Sequence, residues 1–104
     1  MRLPTLFYAM LLILALCLPA SSNVIYVRAN CPGTTHDGNG WDIAFLKVQE
    51  GINAAAASDE VWVAAGTYVE RITLKDSVGL YGGFIGTETR LSQRNWKTNV
   101  TTID

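Results

Sequence analysis

Cysteine is nearly absent from this chain: 104 residues hold two, Cys17 and Cys31. Cys17 lies in an apolar N-terminal run, so Cys31 is alone in the remainder and no internal disulfide can form. It reads as an inert thiol beside the "CPG" turn, with a cross-link to a partner as the other reading. Histidine is rarer still, with His36 the single example. Charge is sparse and unbiased, at 16% of residues and a net of −1. Without residues 1–22 the chain keeps seven basic and nine acidic side chains, a net of −2. That balance gives no electrostatic footprint for nucleic acid. The one long hydrophobic run, Leu6 to Leu18, has thirteen residues. A membrane-crossing helix needs about 20, so no stable span is expected.

What that run does offer is an export signal. Met1-Arg2 carries the positive start, the apolar core follows, and "PASSN" supplies a helix breaker and small residues. Ala20 and Ser22 then occupy the −3 and −1 positions of a cleavage before Asn23. A lipid-anchor reading through Cys17 is weaker, because Leu16 stands where such a site has a small residue. The expected organisation is a signal peptide over 1–22 and one small domain over 23–104, secreted or at the cell surface.

Beyond the leader, "NVIYVRA" alternates and predicts a strand, and "NCPGTTHDGNG" predicts a loop. His36 and Asp37 within it are two residues, too few for a metal site, and Asp-Gly is common turn chemistry. The period then changes. Phe45, Val48, Ile52 and Ala55 fall on one helical face, with Lys47, Glu50 and Asn53 away from it. Asp42 is the expected N-cap, and the alanines 54–57 favour helix while Gly51 weakens it. Alternation returns in "VWVAAGTY", in "RITL" (Arg71 to Leu74) and in "VGLYGGF". Val78/Leu80 follow Val61/Val63 by seventeen residues, and Ile103 follows Leu80 by twenty-three. Such returns predict a solenoid whose strands revisit one face. No tight Asn-Gly hairpin turn separates these strands.

In this order the segments resemble the opening of secreted right-handed parallel β-helix proteins, the pectate-lyase-like superfamily, and in particular large bacterial surface proteins built on that repeat. The likeness rests on "IYV", "DGNGW", "AFLKVQEGINAAAA", "VWVAAGTY", "GLYGGF", "GTET" and "SQRNW" and covers residues 24–104. The resemblance implies an all-β solenoid, a right-handed parallel β-helix start with an N-terminal capping α-helix. It places Phe45, Val48 and Ile52 against Val61, Val63 and Leu80, has Trp41 and Trp96 seal flanking loops, and has the "YGGF" glycines permit tight bends. It also implies that downstream coils are missing from this stretch.

Catalysis does not come with the likeness. Glu60, Glu70, Asp76 and Glu88 are scattered, with no pair at a metal spacing. Arg71 and Lys75 flank "ITL" and are expected to face solvent. No catalytic, cofactor-binding or metal-binding residue is assigned, and no cofactor is expected. The function expected is an exported or cell-surface scaffold module, adhesin-like or glycan-contacting, non-catalytic in the part present, with polysaccharide or surface glycans as partners. The alternative is the N-terminal portion of a polysaccharide lyase or glycoside hydrolase whose active coils lie beyond residue 104. A small carbohydrate-binding sandwich is a third reading, and it requires antiparallel pairing. The Asn99 sequon reads as chance.

Overall fold

The structure, a computed structural model, describes residues 22–104. The signal-peptide assignment to residues 1–22 falls almost entirely outside the described residues. Strand β1 (Val24–Val27) leads through a loop and a 3-10 turn (Trp41–Ile43) to helix α1 (Val48–Ala54). Strands β2 (Glu60–Ala64), β3 (Gly66–Tyr68), β4 (Gly79–Phe84) and β5 (Thr101–Ile103) follow, with a second 3-10 turn at Leu91–Gln93. One sheet has the order β1-β2-β4 and a second pairs β3 with β5, all parallel. Parallel neighbours need long crossovers, and the segment carrying α1 supplies the one from β1 to β2.

This corrects the expected fold class. Over the described residues the chain is a small mixed α/β fold of two short parallel sheets and one α-helix, not an all-β solenoid. Three differences account for it. First, Arg71–Leu74 forms no strand. Its backbone is drawn onto the helix instead: Thr73 N–H donates to the Gln49 side-chain oxygen at 2.7 Å. Second, Val61 pairs with Leu80, a step of nineteen residues rather than seventeen. Third, Ile103 does not return to the Leu80 face but pairs with Tyr68 in the other sheet. Parallel pairing throughout also removes the antiparallel sandwich.

The helix is shorter than its apolar pattern. Phe45 lies on the apolar face but is extended, bridged in parallel to Val27. Asp42 belongs to the 3-10 turn and caps nothing. The N–H groups of Val48 and Gln49 donate instead to the Glu70 carboxylate, both at 2.9 Å. At the other end the Lys75 ammonium donates to the carbonyls of Asn53 and Ala55, at 3.2 and 2.6 Å. Residues 70–75 thus strap α1 with a negative group at its positive end and a positive group at its negative end. Arg71 and Lys75 are both exposed, as expected; Lys75 in addition holds the end of the helix.

The two faces of the three-stranded sheet carry different cores. Ile25, Val27, Val61 and Val63 face α1 and pack with Val48, Ile52 and Ala55, with Phe45 and Leu80 at the margin. Gly51 lets the helix approach: a Cβ there would lie 2.6 Å from a Val27 methyl. On the other face Tyr26, Trp62 and Tyr81 fall in one row, because parallel register aligns them. Trp41, Phe84 and Leu91 complete that aromatic core, with Phe84 stacked on Trp62 at 4.8 Å between ring centroids.

Candidate functional site

Most polar side chains singled out in the sequence are committed to holding the backbone. The His36 ring nitrogens face the carbonyl oxygens of Gly33 and Ala44, both at 3.0 Å, so the ring staples its loop. Asp37 does not join it: its carboxylate accepts the Asn39 N–H. Glu60 accepts the Trp62 indole N–H and Glu70 caps α1. Cys31 is buried, its thiol directed at the Trp41 carbonyl at 3.4 Å.

Glu88 is the most elaborate of these anchors. It is 7% exposed, and its carboxylate accepts the N–H groups of Ile85, Gly86 and Thr87 at 2.8 to 3.0 Å. Burial pushes this carboxyl up, but the backbone donors outweigh it and hold it below the usual range. The Glu88 carbonyl also accepts the Trp41 indole N–H at 2.9 Å, so the "GTET" loop and the aromatic core are fixed together. Asp59 works similarly. The N–H groups of Ala56 and Asn23, in that order of weight, hold its carboxyl low against the opposing effect of burial.

A polar groove of about 710 Å³ runs beside β1 and includes Asp37, Asn39 and Asp59. Its carboxylates are the ones just described, already taken by backbone donors. Among the described residues no group of three or more histidine, cysteine or acidic side chains is placed to hold a metal ion. No described helix is long and apolar enough to cross a membrane.

One surface is not accounted for by holding the fold. It begins where the aromatic row leaves the core at Tyr81. The Arg94 guanidinium lies 5.3 Å from the centre of the Tyr81 ring and 5.6 Å from that of Trp96. Both distances are within cation–π range. Arg94 also donates to the Gly82 carbonyl at 3.3 Å. Trp96 is 62% exposed, which corrects the expectation that it seals a loop; Trp41, by contrast, is buried.

The local backbone explains the placement. Gly83 has φ +90°, and a Cβ there would come 2.9 Å from the Trp96 backbone, so glycine is required. The Gly83 carbonyl accepts the Asn95 N–H at 2.8 Å and its N–H donates to the Thr101 hydroxyl at 3.0 Å. That hydroxyl in turn is within reach of the Val63 and Ala64 carbonyls, at 3.2 and 3.3 Å, tying β5 to β2. The segment bearing Arg94 and Trp96 therefore stands on a fixed base. The sequence does not single out this surface, because a lone tryptophan in such a segment reads as packing. A usable signal was present: from Thr89 to Ile103 the chain has Arg90, Arg94 and Lys97 and no acidic residue.

Comparison with protein-family models, with curated proteins and with solved structures finds no match for this chain.

Proposed function

We propose that this chain is an exported or cell-surface scaffold module that contacts glycans through Tyr81, Arg94 and Trp96, and that it is adhesin-like and non-catalytic in this part. The observation that carries the reading is the 62% exposure of Trp96 on a base fixed by Gly83 and Thr101. Indole rings bury large areas against flat apolar faces, and the C–H face of a sugar ring is such a surface. The leader-like order of residues 1–22 supports export, and the likeness to bacterial surface proteins supports a surface role. The engagement of Asp37, Asp59, Glu70 and Glu88 by backbone donors supports a non-catalytic part.

Two measurements test this. Mass spectrometry of protein recovered from the medium should find an N-terminus at or near Asn23. Retention on insoluble polysaccharides should be seen for the native chain and lost in Trp96→Ala, with thermal stability unchanged. Retention on none of a panel of neutral and acidic polysaccharides, or retention unaffected by Trp96→Ala, overturns the glycan reading.

A further inference from the structure

We infer that the Tyr81–Arg94–Trp96 surface takes an acidic sugar, its ring on the exposed indole and its carboxylate or sulfate on the Arg94 guanidinium. The inference rests on the glycan reading above and specifies its ligand. Among the described residues Arg94 is held by two rings and one hydrogen bond, to the Gly82 carbonyl. A guanidinium has five N–H donors in a planar fork. Most of that fork is therefore open while its position is set. A group anchored this way loses little freedom on meeting an anion, and fork geometry fits the paired oxygens of carboxylate or sulfate.

The surrounding charge has the matching sign. Arg90 and Lys97 flank Arg94, and no acidic side chain occurs between Thr89 and Ile103. The rest of the chain has the opposite balance, so positive charge is concentrated in this segment of a slightly acidic protein. That distribution favours a small charged sugar over a nucleic acid, which needs a broad basic stripe. Trp96 supplies the face for the ring, at a centroid distance of 5.6 Å from the cation.

The test uses the purified full chain titrated with four probes of similar length: a sulfated heparin hexasaccharide, a hexauronate, neutral cellohexaose and a single-stranded DNA oligonucleotide. Trp96 fluorescence reports contact, and Trp96→Phe identifies its share of the signal against the buried Trp41 and Trp62. One or both acidic sugars should bind at least tenfold more tightly than cellohexaose, and which one does so distinguishes sulfate from carboxylate. Arg94→Gln should remove that preference, a loss of about tenfold or more for a charged hydrogen bond, while leaving weak neutral binding. Arg94→Lys, which keeps charge but not the fork, should fall between. Equal binding of acidic and neutral sugars, or no effect of Arg94→Gln, overturns the acidic-sugar inference and leaves glycan contact standing. Tighter binding of DNA than of either acidic sugar overturns it in favour of nucleic acid. No binding of any sugar overturns both readings.

Discussion

Replacing Glu88 by glutamine changes one atom and removes the charge around which the "GTET" loop is wrapped. In the native chain one carboxylate oxygen accepts Ile85 N–H at 2.8 Å, and the other accepts Gly86 and Thr87 N–H at 3.0 Å each. A glutamine carbonyl placed on the second position keeps two of these, as neutral bonds. Its amide nitrogen then faces the Ile85 N–H, donor against donor. One charge-assisted bond nets about 1.5–3 kcal/mol, so a loss of about 2 kcal/mol is expected. For a domain of this size that lowers the thermal midpoint by roughly 10 °C. The same geometry sets the pH dependence. The folded carboxyl is held low, so on acidification the unfolded chain binds a proton first. The contribution is complete above the ordinary carboxylate range of about 4 and is lost as pH falls through the lower, folded value. Glutamine cannot titrate, so the variant should show a shallower loss between about pH 5 and pH 2, with the Asp59 part remaining. Thermal unfolding followed by circular dichroism across that range measures both effects. A midpoint within about 2 °C of native at neutral pH, or an unchanged acid slope, would refute the anchoring argument.

Gly51→Ala should destabilise by about 1–3 kcal/mol from overpacking against Val27, outweighing the helix-propensity gain of about 1 kcal/mol; chemical denaturation gives the sign. Ile52→Asp should cost about 3–5 kcal/mol or prevent folding, because Ile52 is 2% exposed, whereas Glu50→Ala on the exposed face should stay within about 1 kcal/mol. Glu70→Ala should cost about 1 kcal/mol and speed hydrogen exchange at the Val48 and Gln49 amides, the two it accepts from. An effect of Glu70→Ala spread evenly over the chain would argue against a local cap.

How far the sequence could be read depended on whether a segment's surroundings were local. The face Val48, Ile52, Ala55 was legible because helical periodicity and burial agree there. Strands β1, β2 and β4 were legible from alternation and β-branched content. Phe45 fits the same period yet is extended, since its backbone bonds to Tyr26 and Arg28 and periodicity carries no information about that edge. Arg71–Leu74 alternates as well as any strand in the chain. What decides it is a distant partner: Gln49 takes the Thr73 N–H and carbonyl, the flanking Glu70 and Lys75 hold the two ends of α1, and no described strand lies beside it. The step from Val61 to its partner is two residues longer than the hydrophobic pattern suggests, because Val78 looks like the start of a strand. The strand begins one residue later, at Gly79, and it is Leu80 that pairs with Val61. These long-range captures turned an expected all-β solenoid into a mixed fold with two small sheets.

The aromatic row shows why the candidate site is more than leftover surface. Parallel register places Tyr26, Trp62 and Tyr81 side by side, and the middle ring is covered by both neighbours' strands and by Phe84. A row of rings must end somewhere, and its last member needs a cover on its outer side. Arg94 provides that for Tyr81, with its charge over the ring. Terminating the row requires nothing more. Trp96 adds a second ring beyond the cation, mostly in solvent, on a segment whose approach depends on glycine at position 83. The alternating hydrophobic pattern of the strands explains the first three rings and the row's end explains Arg94. Among the described residues the Trp96 ring meets the Arg94 cation and is otherwise mostly in solvent, and the glycan proposal rests on that exposure.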